Sequence, residues 1–427
     1  MKEQQMTTGQ SLIAPFPGWR PVASEVARIA APPYDVLSRQ EAALLAARDP
    51  LSFVHVSRAE VDLAPDMPAD DPRVYAAARA RWQAWCQQGV FRQDPQPVFY
   101  LYRLEQAGRA HVGLVAAASV DAYMSGRIRR HELTRPDKEQ DRTRMADALS
   151  ANSGPVFLVY RRDPQVEAVL TSVLESAPVY DFIADDGIRH SFWIVEDARF
   201  AAVLIARFDA MERLYIADGH HRSAAAAHVC RQRREALGGR WTGEESFNRF
   251  LCVLFADHQV TILEYNRLVR DLNGQTVAQF LDHVGRSFTV HPEPEPVRPV
   301  QPHEFGMYLA HQGWFRLRLR DDVVPVVEAG SPVTRLDVQV LEDRLLRPVL
   351  GITDPRRDVR IEFVGGGRGV AALEQPVRSG AMAVAFALYP TRLVDLLAVA
   401  DADAIMPPKS TWFEPKLRDG LVVQEIA

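Results

Sequence analysis

Short bursts of apolar residues alternate along this chain with segments in which apolar positions recur at helical spacing. Val98–Leu104, Val112–Val120 and Pro155–Tyr160 are rich in β-formers and predict strands, the first two joined by a turn near Gly108. Ser191–Val195, Leu214–Ala217, Phe250–Phe255 and Thr261–Leu263 extend the series, and Leu51–Val56 reads as a weaker strand. Further along, Phe305–Ala310, Trp314–Arg320, Arg360–Val364 and Ala381–Tyr389 read the same way. Helical patterning covers Tyr75–Gln88, Lys138–Ala151 and about 197–209, 219–236 and 336–347. Ser38 with Glu41 three residues on is a capping box, and it predicts a helix running to about Ala47.

Proline and glycine punctuate this pattern. Residues 14–21 and 31–36 are Pro-rich stretches too stiff for helix, and residues 62–72 read as an exposed loop. His291–Pro302 holds five Pro in twelve residues and predicts a stiff connector or an exposed loop. Residues 1–13 read as a polar tail. Hairpins mixed with intervening helices predict an α+β fold, mixed sheets with helices. The expected segments are 1–95, 96–290 and 303–427.

Composition narrows the function classes. The chain has 427 residues, 50 Lys+Arg against 55 Asp+Glu, a formal charge of -5 and three Cys. A mildly acidic total argues against non-specific nucleic-acid binding, so no DNA partner is expected. Cys86, Cys230 and Cys252 form no Cys-x-x-Cys pair, so no zinc framework is expected and the thiols read as buried apolar groups. No stretch reaches the ~18 apolar residues of a membrane span, and the N-terminus carries no secretory apolar core. A cytoplasmic protein without membrane contact is expected.

Local chemistry is more informative. In Leu214-Tyr-Ile-Ala-Asp-Gly-His-His-Arg222 an apolar strand runs into a turn, then into an alanine-rich helix. Asp218 is placed as the helix N-cap, and Gly219 lets backbone approach a ligand. A helix N-terminus offers N–H groups and a positive dipole end to an anion. His220, His221 and Arg222 add donors at the same point, and the alanines 224–227 permit close packing on a sheet. The bland alternative is a capped helix with surface histidines.

Residues 126–144 carry seven Lys/Arg and four Asp/Glu, a net-positive island in an acidic chain. His131 and Glu132 fall there in the loop between a strand and a helix. Glu132 amid cations stays ionised and is able to accept a proton. The bland reading is a solvated, salt-bridged loop. Near the C-terminus Met406-Pro-Pro-Lys-Ser-Thr411 offers Lys409, Ser410 and Thr411, which suit phosphate or metal, or simply a turn. The preceding glycines of a P-loop are missing. Val364-Gly-Gly-Gly-Arg-Gly369 reads as a glycine-rich turn.

Ala31-Pro-Pro-Tyr-Asp-Val36, His131-Glu-Leu-Thr134 with Asp141-Arg142, Tyr215-Ile-Ala-Asp-Gly-His-His-Arg222, and Met406-Pro-Pro-Lys-Ser-Thr411 with Pro415-Lys416 occur in order across nearly the whole chain. Together they resemble a widespread bacterial family catalogued as a domain of unknown function. That family is similar to the ParB/sulfiredoxin-like superfamily and to archaeal free serine kinase. The resemblance implies a ParB/sulfiredoxin-like nucleotide-binding core with additional α/β elements. It implies ATP or ADP with Mg²⁺ as cofactors, and phosphate transfer to the hydroxyl of a small molecule such as L-serine. Glu132 becomes the candidate base, assisted by His131. Asp218, Gly219, His220, His221 and Arg222 become the phosphate site, with Asp218 as metal ligand. Arg135, Arg142, Lys409, Ser410 and Thr411 join them as cofactor- or substrate-binding groups. The alternative is a nucleotide-binding regulatory switch with slow or no hydrolysis. A homo-oligomer is compatible with either reading. The sulfiredoxin branch needs a Cys at the phosphate turn, where this chain has His220 and His221.

Overall fold

The capping box forms as the sequence predicts. The Ser38 hydroxyl accepts from the Glu41 N–H, the Glu41 carboxylate accepts from the Ser38 N–H, and the helix Arg39–Arg48 follows. In the computed structural model, which describes residues 10–323 and 331–426, most of the expected strands and helices are present within a few residues of their expected bounds. The mixed α+β class expected from the pattern is observed.

Two compact units divide the described residues. One comprises residues up to Arg129, Thr134–Val260 and the segment from Pro415; the other comprises Arg130–Leu133 and Thr261–Glu414. The first is organised around a nine-stranded sheet. Its order is Ile128–Arg129, Leu214–Asp218, Val156–Tyr160, Arg249–Ala256, Arg109–Ser119, Phe99–Gln106, Arg189–Val195 and Tyr180–Ile183, with Ile13–Ala14 added against Arg109–Ser119. Leu214–Asp218 runs parallel to Ile128–Arg129 and antiparallel to Val156–Tyr160. Residues 1–9 of the expected tail lie outside the described residues. Its end is not tail-like, because Leu12 and Ile13 are fully buried.

One core cluster of this unit gathers Leu101, Leu158 and Leu254 from the sheet with Leu204 and Phe208 from a helix. Each such side chain contributes about 1.5–3 kcal/mol on burial. The helix His220–Ala236 presents Ala224, Ala225, Ala226 and Ala227 inward, all buried, so small side chains do permit close packing there. The helix Pro136–Leu149 packs along it. A second cluster gathers Phe53, Trp82, Trp85 and Phe91, with Trp85 and Phe91 stacked at 6.0 Å. Leu51–Val56 does not form the expected strand; Val54–Ser57 is a short helix. A brief apolar run suits either conformation, and burial of Phe53, Val54 and Val56 in the aromatic cluster decides it.

The last residues are sewn into this first unit. Trp19 and Val423 exchange backbone hydrogen bonds, as do Ala31 and Asp419, and Gln424–Glu425 pairs with Ala151–Asn152.

The second unit holds a six-stranded antiparallel sheet in the order Phe288–Glu293, Gly313–Leu319, Glu304–Leu309, Val384–Leu388, Tyr265–Val269 and Ile361–Gly365. The Pro-rich stretch His291–Pro302 therefore connects strands of one sheet. Its first residues continue the edge strand, where Pro292 is tolerated because one side needs no ladder bond. Among the described residues no helix is long and apolar enough to cross a membrane.

Close packing inside the first sheet gives a direct test. A Cβ on Gly113 would lie 2.4 Å from Val253 Cγ1 and 2.7 Å from Phe255 Cζ. Gly113→Ala should therefore destabilise the protein by about 1–3 kcal/mol, read as a lower midpoint in chemical denaturation. An unchanged midpoint would show that these strands are not packed this closely.

Candidate functional site

The strand Leu214–Asp218 delivers its last residue to a turn, and Gly219 takes a left-handed conformation, φ 96° and ψ 27°. Only glycine adopts this freely. Space demands it as well, because a Cβ would come within 3.2 Å of Arg222 Nε and of Val156 Cα. Gly219 itself is the helix N-cap, so the expectation that Asp218 caps the helix is corrected. The reason is that the Asp218 carboxylate turns to its neighbour: Oδ1 accepts from the Gly219 N–H at 2.9 Å. The N–H groups of the helix's first turn cannot be used by the helix itself.

The other Asp218 oxygen takes a partner 198 residues away. Lys416 donates from Nζ to Asp218 Oδ2 at 3.0 Å, and Arg222 Nη2 stands 4.0 Å from the same oxygen. Burial alone would push this carboxyl up. The charges of Lys416, Arg222 and His220 outweigh it and hold the group well below the usual carboxylate range. Arg222 donates to the Pro155 carbonyl. Burial works against the Arg222 charge too, and Asp35, Asp218 and Asp419 restore it, so the guanidinium stays cationic.

The remaining expected groups of this unit have diverse surroundings. His220 is buried, whereas His221 accepts the Arg135 N–H at its Nε2, 3.1 Å away. That bond leaves the His221 Nε2 without a proton. The Arg135 guanidinium forks onto Asp137 and is two-thirds exposed, a pair worth little in energy. Arg142 is nearly enclosed, held by Asp141 at 2.8 Å and lying over the Tyr34 ring at 4.1 Å. Glu139 bonds both Thr134 and His228, which ties the helix Pro136–Leu149 to the helix that follows the turn.

The second unit holds His131, Glu132, Lys409, Ser410 and Thr411. His131 is buried, and its carbonyl accepts from the Met406 N–H at 2.8 Å. The group that organises this region is Arg267. Its guanidinium donates to the carbonyls of Tyr265, Pro408 and Lys409. Burial pushes Arg267 down to about 10, while Tyr265, Glu342 and Glu132 act to keep it charged. Lys409 has a left-handed backbone, φ 56°, and its ammonium lies 5.6 Å from the Tyr265 ring centre. The Ser410 hydroxyl donates to the Pro407 carbonyl at 2.6 Å, so it serves the local turn.

Lys416, Asp419 and Arg267 were not singled out by sequence reasoning. Lys416 belongs to a quoted motif, which was a usable signal. Arg267 lies mid-strand in Tyr265-Asn-Arg-Leu-Val269 and gives none.

The family model described as "Protein of unknown function (DUF1015)" matches residues 13–339, and the chain belongs to this family. No curated protein matches it. Among solved structures, SbnI with a C-terminal truncation from Staphylococcus aureus is similar at 13% identity and TM-score 0.38, covering 71% of this chain and 85% of that one. A mutant free serine kinase in complex with ADP is similar at 11% identity and TM-score 0.35, covering 73% and 92%. A conserved hypothetical protein from Pyrococcus furiosus is similar at 12% identity and TM-score 0.33, covering 73% and 95%.

The Asp218–Lys416 pair is testable as a unit. Lys416→Met leaves a largely buried carboxylate without its cation and should cost about 1–3 kcal/mol. Adding Asp218→Asn to that variant should recover much of the loss. Thermal and denaturant unfolding of the two single variants and the double variant reads the coupling, and additive losses would show that the pair does not form.

Proposed function

We propose that this DUF1015 family member binds a nucleotide by its phosphates and transfers phosphate to the hydroxyl of a small molecule such as L-serine. One observation carries the reading. The left-handed turn at Gly219 feeds a 17-residue helix whose first turn holds Arg222, and Lys416 reaches the same turn from the far end of the sequence. Outward N–H groups, a positive dipole end and two cations are the donor set that phosphate oxygens require.

In this reading the helix N-terminus and Arg222 hold the transferring phosphate and the phosphates next to it, and Lys416 adds a further cation. Their fixed charges offset the charge that develops on the equatorial oxygens. Glu132 is the proposed base. It takes the proton of the acceptor hydroxyl as that oxygen bonds to phosphorus, and the bond from phosphorus to the nucleotide leaving oxygen breaks. Asp218 is the proposed Mg²⁺ ligand, and its carboxyl is held ionised, as a hard cation requires. Mg²⁺ bound there would add positive charge against the phosphates. Arg135 and Arg142 remain proposed substrate clamps, and Lys409, Ser410 and Thr411 proposed cofactor groups of the second unit.

The test is to titrate the protein with ATP and with ADP in Mg²⁺ and then assay O-phosphoserine after adding L-serine. Glu132→Gln should lower turnover by roughly 10²–10⁴-fold with nucleotide affinity nearly unchanged. Arg222→Met should weaken nucleotide binding itself. Absence of binding to either nucleotide overturns the reading. Binding without transfer to L-serine or related hydroxyl compounds favours the regulatory switch.

A further inference from the structure

Beside the turn, and sharing Arg222 with it, the first unit holds a separate cavity of about 40 Å³. At roughly 10–15 Å³ per water molecule, it offers room for about three waters. Its polar wall includes Ser57, Arg142, Asn152, Ser153, Arg222 and Asp419, with Tyr34 and Gly154 beside them. Asp419 and Ser57 are almost wholly buried, at 2% and 3% exposure.

Three buried polar atoms of these lining residues have no protein partner: Ser57 Oγ, Arg222 Nε and Asp419 Oδ1. A buried polar atom left unmet costs free energy, so lining residues with three of them are shaped for something that meets them. The room for Asp419 is itself specific. A Cβ on Gly154 would fall 2.8 Å from Asp419 Oδ1.

The chemistry of the occupant follows from the wall. Two guanidinium groups, Arg142 held by Asp141 and by the Tyr34 ring and Arg222 with its free Nε, call for an oxyanion and repel a cation. Ser57 donates or accepts. Asp419 Oδ1, as a carboxylate oxygen, requires a donor, so a fully deprotonated oxyanion leaves it facing bare oxygen. We infer that this cavity binds a small tetrahedral oxyanion that retains a proton, of the hydrogenphosphate class, with Arg142 and Arg222 on its charged oxygens and its hydroxyl donating to Asp419. The inference does not require a nucleotide at the turn.

Sulfate separates this from ordinary anion attraction. At pH 8 it matches hydrogenphosphate in charge and shape and has no proton to donate. Burial pushes the Asp419 carboxyl up to about 7; Arg222, Arg142 and the Tyr34 N–H oppose that push, and Asp35 reinforces it. The group is therefore mostly ionised at pH 8. Calorimetric titration of the full chain at that pH should show inorganic phosphate bound at least ~30-fold more tightly than sulfate, because a site built around a donor rejects the analogue that lacks it. Ser57→Ala should weaken phosphate about tenfold, the effect of one hydrogen bond to a charged group. Asp419→Asn should bring phosphate and sulfate to within about threefold, since the amide is able to donate to either. Circular dichroism confirms that each variant folds, and Ser57→Ala removes one hydroxyl only. Equal binding of the two anions, phosphate affinity unchanged in Ser57→Ala, or no phosphate binding overturns the inference. The last outcome assigns the cavity to water. Unchanged affinity in the variant would place phosphate at the Gly219 turn alone, which separates failure here from failure of the nucleotide reading.

Discussion

A buried guanidinium keeps its charge only if acceptors and negative groups surround it, and Arg222 imposes that demand on the first unit. Its needs are met by the Pro155 carbonyl and by Asp218, Asp35 and Asp419 nearby. These residues come from four distant parts of the sequence. Folding the Pro-rich N-terminal stretch, the sheet and the C-terminal segment into one unit is what brings them together. The backbone bonds of Ala31 to Asp419 and of Trp19 to Val423 tie the N-terminal and C-terminal stretches to each other. The left-handed turn at Gly219 belongs to the same constraint, since any side chain there would press on Arg222.

Much of this was legible because its cause is local. The strand Leu214–Asp218, the turn and the alanine-rich helix are neighbours in sequence, so hydrophobic period, glycine and capping chemistry revealed them directly. The Ser38 capping box is local in the same sense. What stayed hidden depends on contacts between distant residues. Asp419 sits in Arg418-Asp-Gly420, which reads as an ordinary polar turn, and nothing local marks its carboxyl as buried. The distant partner of Asp218 escapes notice for the same reason. Its spacing fits a cap, but the pull of Lys416 from the far end of the chain is invisible to spacing.

The second unit repeats the principle with another arginine. Arg267 is buried in a strand of the six-stranded sheet, and the Met406-Pro-Pro-Lys-Ser-Thr411 segment supplies it with the carbonyls of Pro408 and Lys409. Prolines suit this role because they leave their carbonyls available and fix the direction of the backbone. That accounts for the segment's two prolines without a P-loop. Its lysine and hydroxyls caught attention in the sequence, while its carbonyls bind the buried charge and its Ser410 hydroxyl closes the turn.

Two carboxyls near one guanidinium need not behave alike, and here they diverge. Asp218 has Lys416 as well as Arg222 and is driven firmly to the ionised form. Asp419 is buried more deeply and has Asp35 as a like-charged neighbour, so its proton is held far more strongly. Environments that separate paired carboxyls in this way assign them different chemical tasks. The ionised Asp218 suits a standing counter-charge beside cations at the turn. Asp419, poised near neutrality and with an unmet oxygen, suits recognition of a proton. The acidic average of the chain conceals this contrast, because what decides either group is the few charges gathered around Arg222 and not the total.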